Sequence, residues 1–319
     1  MADANDVATE HIAPQGDIML IVGKKPEARL RVSSAVLIAN SPVFAAMLGP
    51  NFQEGLIAGT TETPKEVALP DDEATAMSDM CNLLHLKTPS ALCAKPASRI
   101  LPLAIANDKY GCHDALILQS DALLSGWLRR NPQGTSNLSH MAAAAYLLNH
   151  KSMFKILTSR LILETDTSFS SVLKEGHGHI IPVAALLALE EKRTAAQCYI
   201  CVQLPIMGTR PCNQHLTCQN DYDHALMDGL ALVFGTRRWP PNFSGSLKVC
   251  DAVTKIRRMG GMSREFPTCA HTKRTTMITG GDSMDFAASV EKMCAGLCLR
   301  CVKEGLPDLT TKCSLAGHP

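Results

Sequence analysis

The sequence predicts an α+β fold, in which a small β-sheet is flanked by helices and followed by a helical region and a cysteine-rich, mostly irregular or α-helical C-terminal module. Three observations lead to this prediction. Two short apolar segments around a turn, in residues 18–32, predict a β-hairpin. Apolar residues then recur at helical spacing from residue 34 to residue 197. Beyond Cys198, cysteine, glycine and proline occur every few residues, and long periodic runs become rare.

The sheet is predicted from the hairpin and one later strand. Residues 18–22 are an apolar run, residues 23–26 (GKKP) favour a turn, and residues 30–32 alternate between apolar and charged side chains. Residues 65–70, "KEVALP", are the next segment with strand character. We therefore expect at least three strands before the helices begin to dominate.

Two short helices are predicted between the hairpin and the later strand. Ser34 is placed to cap a helix that runs through Asn40. Ser41 is placed to cap a second helix, with Pro42 at its first position, where the missing N–H has no cost. The apolar stretch "SSAVLIANSPVFAAML" is thus predicted to be a helix pair rather than one helix.

Further helices are expected along the rest of the chain. Residues 74–84 carry apolar side chains at helical spacing, and residues 99–128 predict two helices separated near Gly111. Residues 131–137, "NPQGTSN", predict a linker. Helices follow in residues 139–150, 152–163 and 181–197, and beyond Cys198 only in residues 222–234 and 285–305.

Composition excludes several classes of function. A formal net charge of +1 over 319 residues gives no overall electrostatic attraction to nucleic acid or to anionic membranes. The first 17 residues lack the features of a signal peptide, and the apolar run 180–189 is about half of a membrane span. We expect a cytoplasmic or nuclear protein without membrane partners. Because no phosphate-binding loop, dinucleotide fingerprint or nucleophile elbow is found, we also expect neither an enzyme nor a small-molecule substrate.

The order of the predicted elements resembles the BTB/POZ fold. "GDIMLIVG" followed by "LRVSSAVLIANSPVFAAML" is similar to the opening of that family, and "ANDKYGCHDAL" resembles its later helix junction. "MCNLLHLKTP" and "DKYGC" are most similar to fungal BTB proteins. The resemblance implies a BTB/POZ domain in residues 16–130, before a helical region in residues 137–195 and a cysteine-rich module in residues 196–319.

The resemblance also implies a function, a protein–protein interaction adaptor that recruits the cullin scaffold of a ubiquitin ligase or pairs with another BTB chain. The family's cullin-binding signature is an apolar residue, any residue and then glutamate, and Phe52, Gln53 and Glu54 stand there. An exposed phenylalanine can fill a groove on the partner while a carboxylate fixes orientation. The alternative is that Phe52 covers the domain's own core and Glu54 is solvated.

One family feature is missing. BTB dimers usually carry histidine and then lysine or arginine where this chain has Ser33 and Ser34. In the family that cation helps to form a charged pocket with an aspartate near the first strand, here Asp17. Serine cannot supply a cation, so we do not expect the usual strand-exchanged dimer. A dimer through another surface, or a monomer, stays open.

The C-terminal module holds ten of the thirteen cysteines, and in a reducing compartment such a cluster predicts metal before disulfides. The candidate ligands of a structural zinc are Cys198, Cys201, Cys212, His215, Cys218, Cys269, His271, Cys298 and Cys301. The preferred grouping joins Cys269/His271 to Cys298/Cys301, and Cys198/Cys201 to two of the trio Cys212, His215 and Cys218. In the alternative, Cys198 and Cys201 are buried one turn apart on a continued helix.

The second hypothesis for function is a nuclear regulator whose zinc-stabilised module contacts nucleic acid. Its candidate contacts are Arg237, Arg238, Arg257 and Arg258. These basic residues are few and interspersed with acidic ones, so the sequence favours the adaptor.

Overall fold

The computed structural model describes residues 8–25, 28–55, 59–87, 96–130, 134–174, 178–206, 215–243, 247–259, 280–306 and 309. Within them the chain has an α+β fold with one four-stranded sheet and twelve α-helices. The chain divides into two compact units. The first comprises residues 1–133 and 139–153, and the second comprises residues 134–138 and 154–319.

The sheet of the first unit contains the predicted hairpin. Its strands are β1 (Thr9–His11), β2 (Ile18–Val22), β3 (Ala28–Val32) and β4 (Lys65–Leu69), in the order β1-β3-β2-β4. β2 and β3 are antiparallel, with Ile18 opposite Val32, whereas β1 pairs with β3 and β4 pairs with β2 in parallel. The hairpin and β4 are confirmed. β1 was not predicted, because its three residues have no apolar alternation.

The predicted helix pair is confirmed as α1 (Ser34–Asn40) and α2 (Pro42–Met47). Ser41 caps α2, since its Oγ accepts the N–H of Phe44 at 3.0 Å, and the same hydroxyl donates to the carbonyl of Tyr110 at 2.5 Å. The expectation that Ser34 caps α1 is wrong. The cap position is Ser33, while Ser34 is the first helical residue and its side chain bonds elsewhere.

Three further helices surround the core of the first unit: α3 (Ala74–Leu84), α4 (Ala97–Tyr110) and α5 (Ile117–Arg129). Gly111 ends α4 with φ of +65°, a left-handed conformation that suits glycine. Phe44 is fully buried and stacks on Tyr110, with ring centroids 4.4 Å apart. This stack, together with the Ser41 hydroxyl, ties α2 to the end of α4.

Helices also dominate the described part of the later chain. They are α6 (Thr135–Leu147), α7 (Lys151–Glu164), α8 (Val183–Gln203), α9 (Leu216–Phe234), α10 (Val249–Met259), α11 (Gly280–Met293) and α12 (Leu299–Lys303). The predicted linker is wrong at Thr135–Asn137, which open α6, and residues 131–133 lie outside the described residues. α10 was not predicted. None of the helices in the described residues is long and apolar enough to cross a membrane.

Candidate interaction site

A closed turn after α2 carries the predicted partner-binding residues. The N–H of Phe52 donates to the carbonyl of Gly49 at 3.3 Å, and the N–H of Gly55 donates to the carbonyl of Phe52 at 2.9 Å. The turn is tight, because a Cβ added at Gly55 would lie 1.7 Å from the Gly49 oxygen. Residues Gln53–Gly55 form a 3₁₀ turn. The backbone on both sides of Phe52 is therefore held in place.

Phe52 lies at the surface, with 51% of its area exposed, and Glu54 is half-buried. Phe52 therefore does not cover the core of its own unit, as the alternative interpretation requires. Lys65, the first residue of β4, reaches the turn, and its Nζ donates to the carbonyls of Gln53, at 3.2 Å, and Glu54. This lysine was not singled out from the sequence, since only the fold brings β4 beside residues 53–54.

Asp17, the second predicted partner-binding residue, bonds within its own unit. Its carboxylate accepts the N–H of Ser34 at 2.8 Å and the Ser34 hydroxyl at 2.5 Å. Partial burial opposes ionisation of Asp17, but the hydrogen bonds from Ser34 outweigh it and lower the pKa of the carboxyl group. Ser34 thus satisfies by hydrogen bonding a carboxylate that the family resemblance would pair with a cation.

His85, which is not among the residues predicted from the sequence, contacts the residue before α1. The Nε2 atom of His85 accepts the N–H of Ser33 at 3.1 Å, and its Nδ1 atom lies 2.7 Å from the carbonyl of Cys81. These contacts describe a neutral imidazole with its proton on Nδ1. Burial lowers the pKa of His85, and the charge of Lys87 lowers it further. The hydrogen bond to the carbonyl of Cys81 raises the pKa, but by less.

Two more surface features lie beside Ser33 and His85. A shallow depression is lined by Ala13, Pro14, Gln15 and Ser33. Leu86, just after α3, has a positive φ of 57° and is 85% exposed. A left-handed conformation costs a leucine about 1–2 kcal/mol. The end of α3 therefore presents an apolar side chain to solvent at a conformational cost.

The first pair of candidate zinc ligands lies near the end of α8. Cys198 is exposed and Cys201 is half-buried, one helical turn apart, so the chain does continue as a helix here. Burial raises the pKa of Cys201, and the neighbouring thiol of Cys198 adds to the rise. The carbonyl of Cys201 accepts the indole N–H of Trp239 at 3.2 Å.

The other described candidates lie at the starts of two helices. His215 precedes α9 and Cys218 is half-buried within it, while Cys298 precedes α12 and Cys301 is buried in it. Cys212, Cys269 and His271 lie outside the described residues. In the part of the chain that the structure describes, no group of three or more His, Cys, Asp or Glu side chains is placed to hold a metal ion. The zinc groupings stay predictions.

The four arginines of the second hypothesis differ in their surroundings. Arg237 and Arg238 are exposed after α9, and Arg258 is exposed at the end of α10. Arg257 forms an ion pair with Glu291 of α11 at 2.5 Å. One of the four charges is thus engaged within the protein.

A comparison with protein-family models gives no match, and a comparison with curated proteins gives none either.

Proposed function

We propose that this protein is a non-enzymatic adaptor for protein–protein interaction, with a BTB/POZ domain as its first unit. The element order supports the proposal, because a hairpin, a pair of short helices, a parallel strand and three helices follow one another in the first unit. The cap of Ser41 and Pro42 at the start of α2 supports it as well. The second unit would then act as an appended module, stabilised by a structural zinc.

The partner that we propose is the cullin scaffold of a ubiquitin ligase. The observation that carries this proposal is the 51% exposure of Phe52 on a turn closed by backbone hydrogen bonds and by Lys65. A large apolar side chain on a backbone that is already held in one conformation loses less conformational entropy on binding. Glu54, two residues away, supplies a carboxylate that can select a basic patch on the partner.

A binding measurement with the full-length protein and a purified cullin scaffold tests the proposal. We expect binding by the wild type, and a dissociation constant about 30-fold higher for Phe52→Ala, which corresponds to a hot spot of about 2 kcal/mol. Leu187→Ala is the matched control, because Leu187 is also an exposed apolar residue, at 58%. Absence of wild-type binding would end the cullin proposal. Equal binding by Phe52→Ala would place the contact elsewhere.

The nucleic-acid hypothesis has no comparable support. Four exposed arginines in a chain of net charge +1 are a small electrostatic footprint, and one of them, Arg257, is already paired with Glu291. Titration with DNA at low salt would decide the matter, since binding that weakens with salt and with Arg237→Ala would favour the regulator.

A further inference from the structure

Lys65 ties the turn that carries Phe52 to the β-sheet. It is the first residue of β4, and its Nζ donates hydrogen bonds to the carbonyls of Gln53, at 3.2 Å, and Glu54. A lysine ammonium group has three N–H donors, so one side chain can serve both carbonyls. A single residue thus links a surface turn to a strand at the edge of the sheet.

The two carbonyls belong to an element that cannot satisfy them by itself. Gln53–Gly55 form one short 3₁₀ turn. The carbonyl groups at the end of such an element lack a donor within it, and their partial negative charge favours a cation. The ammonium group of Lys65 supplies both the donors and the positive charge.

The backbone of Lys65 is itself fixed by the fold. Its N–H donates to the carbonyl of Asp17 at 2.9 Å, and Lys65 lies opposite Ile18 in the register of β2 and β4. Gly59 packs so closely that an added Cβ would lie 2.6 Å from the Lys65 nitrogen. Because the Lys65 backbone cannot shift, the two hydrogen bonds of its side chain restrain the turn relative to the sheet.

The restrained carbonyls lie directly beside Phe52 in the chain. The N–H of Gly55, the residue after them, donates back to the carbonyl of Phe52 at 2.9 Å. Because 51% of the area of Phe52 is exposed, core packing alone does not fix its side chain. The direction in which Phe52 points therefore depends on the backbone that Lys65 holds.

We propose that Lys65 is the positioning residue of the interaction site, and that its ammonium group holds residues 52–55 in the conformation that binds the cullin scaffold. The inference rests on the proposed function for the identity of the partner, whereas the restraint on the turn is a property of the free protein. A turn that is already ordered loses less conformational entropy on binding. Loss of the ammonium group therefore weakens binding through Phe52 and Glu54.

Hydrogen exchange of backbone amides, followed by NMR in the free full-length protein, tests the restraint without a partner. Lys65→Met removes the donors but keeps an unbranched side chain. We expect exchange at the Gly55 N–H to become about 10-fold faster, as for loss of one hydrogen bond to a charged group, while β2 and β3 are unchanged. Lys65→Arg keeps a cation with N–H donors and should restore slow exchange. Lys24→Met, at an exposed lysine 3.7 Å from Asp71, is the matched control.

Binding to a purified cullin scaffold then separates positioning from direct contact. Lys65→Met should raise the dissociation constant about 10-fold in the wild-type background. In a Phe52→Ala/Glu54→Ala background it should raise the constant less than about 2-fold, because a residue that acts through others has no effect once they are removed. Equal effects in both backgrounds would make Lys65 an independent contact and overturn the proposal.

The exchange measurement decides the role of Lys65 even if the partner is a different one. The proposal is overturned if Lys65→Met leaves exchange at Gly55 unchanged, if exchange rises equally in β2 and β3, or if Lys65→Arg exchanges as fast as Lys65→Met. Failure of the wild type to bind the scaffold would end the cullin proposal alone.

Discussion

The carboxylate of Asp17 holds Ser34 by two hydrogen bonds, one from its backbone N–H at 2.8 Å and one from its hydroxyl at 2.5 Å. The contact joins the residue before β2 to the first residue of α1. The negative charge of Asp17 is therefore satisfied by hydrogen bonds within its own chain.

Ser34→Ala is expected to lower the free energy of unfolding of the first unit by about 1.5 kcal/mol, because a hydrogen bond to a charged acceptor is lost. Urea unfolding followed by fluorescence of Trp127, buried in this unit, measures the effect in a Trp239→Phe background. Ser33→Ala is the control, since the Ser33 side chain makes no capping bond. Equal losses for both variants would contradict the assignment.

His85 is expected to make stability depend on pH. Its Nε2 atom accepts the N–H of Ser33, and protonation would replace that acceptor with a donor. Because the folded pKa is lowered from 6.5, the unfolded state binds more protons, so stability falls as pH drops below 6.5 and levels off below the folded pKa. Asp17, whose pKa is lowered from 3.8, adds a separate loss at more acidic pH.

The slope from His85 is at most about 1.4 kcal/mol per pH unit. Urea unfolding at several pH values between 4.5 and 7.5 should show this pH dependence of the free energy of unfolding in the wild type. His85→Gln should make the free energy of unfolding nearly independent of pH in this range, above the pH at which Asp17 is protonated. His224→Gln, at an exposed position on α9, is the control substitution. A curve that His85→Gln does not alter would assign the pH dependence to other groups.

Substitutions of Phe52 and Phe44 are expected to differ strongly in their effect on the free energy of unfolding. Phe52→Ala should change the free energy of unfolding by less than about 0.5 kcal/mol, as is usual for a surface substitution. Phe44→Ala should cost about 3–5 kcal/mol, because Phe44 is fully buried against Tyr110. Thermal or urea unfolding compares the two. A large loss for Phe52→Ala would mean that this side chain supports the fold.

Thr158→Val is expected to destabilise the second unit by about 1–3 kcal/mol, since the buried N–H of Leu297 loses its acceptor. Thr254→Val is a matched control. Both hydroxyls donate to the carbonyl four residues earlier, but only Thr158 also accepts a hydrogen bond from a distant N–H. Unfolding followed by Trp239 fluorescence should show the loss for Thr158→Val alone.

Metal analysis by mass spectrometry tests the zinc prediction. Purified, reduced protein is expected to contain about one zinc per chain. If the site includes Cys298 and Cys301, their replacement by serine should remove it, whereas Cys250→Ser, at another half-buried cysteine, should not. Absence of zinc from the reduced wild type would leave these cysteines as packing residues.

Local signals in the sequence predicted much of the first unit. Ser41 and Pro42 mark the start of α2, and the apolar pattern of α3 defines its buried face. α10 was overlooked although Val249, Val253 and Ile256 recur at helical spacing and are buried. The two arginines in its last turn, Arg257 and Arg258, interrupt the apolar pattern. β1 could not be predicted, because only its pairing with β3 makes Thr9–His11 a strand.

The predicted partner-binding residues show the same limit of prediction from sequence. The sequence indicates Phe52 and Asp17, but it does not show that Lys65 bonds to the two residues after Phe52 or that Ser34 bonds to Asp17. Those contacts follow from strand order and from where α1 begins. Side-chain exposure, which favours Phe52 as a contact residue, is likewise a property of the fold.

The short strand β1 has a practical consequence. It lies before residue 16, where the family resemblance begins, and it covers the outer backbone groups of β3. A shortened protein that began at residue 16 would leave those N–H and C=O groups open to strands from other molecules. Expression trials of the first unit should therefore retain Thr9–His11, because three residues separate a protected sheet edge from an aggregation-prone one.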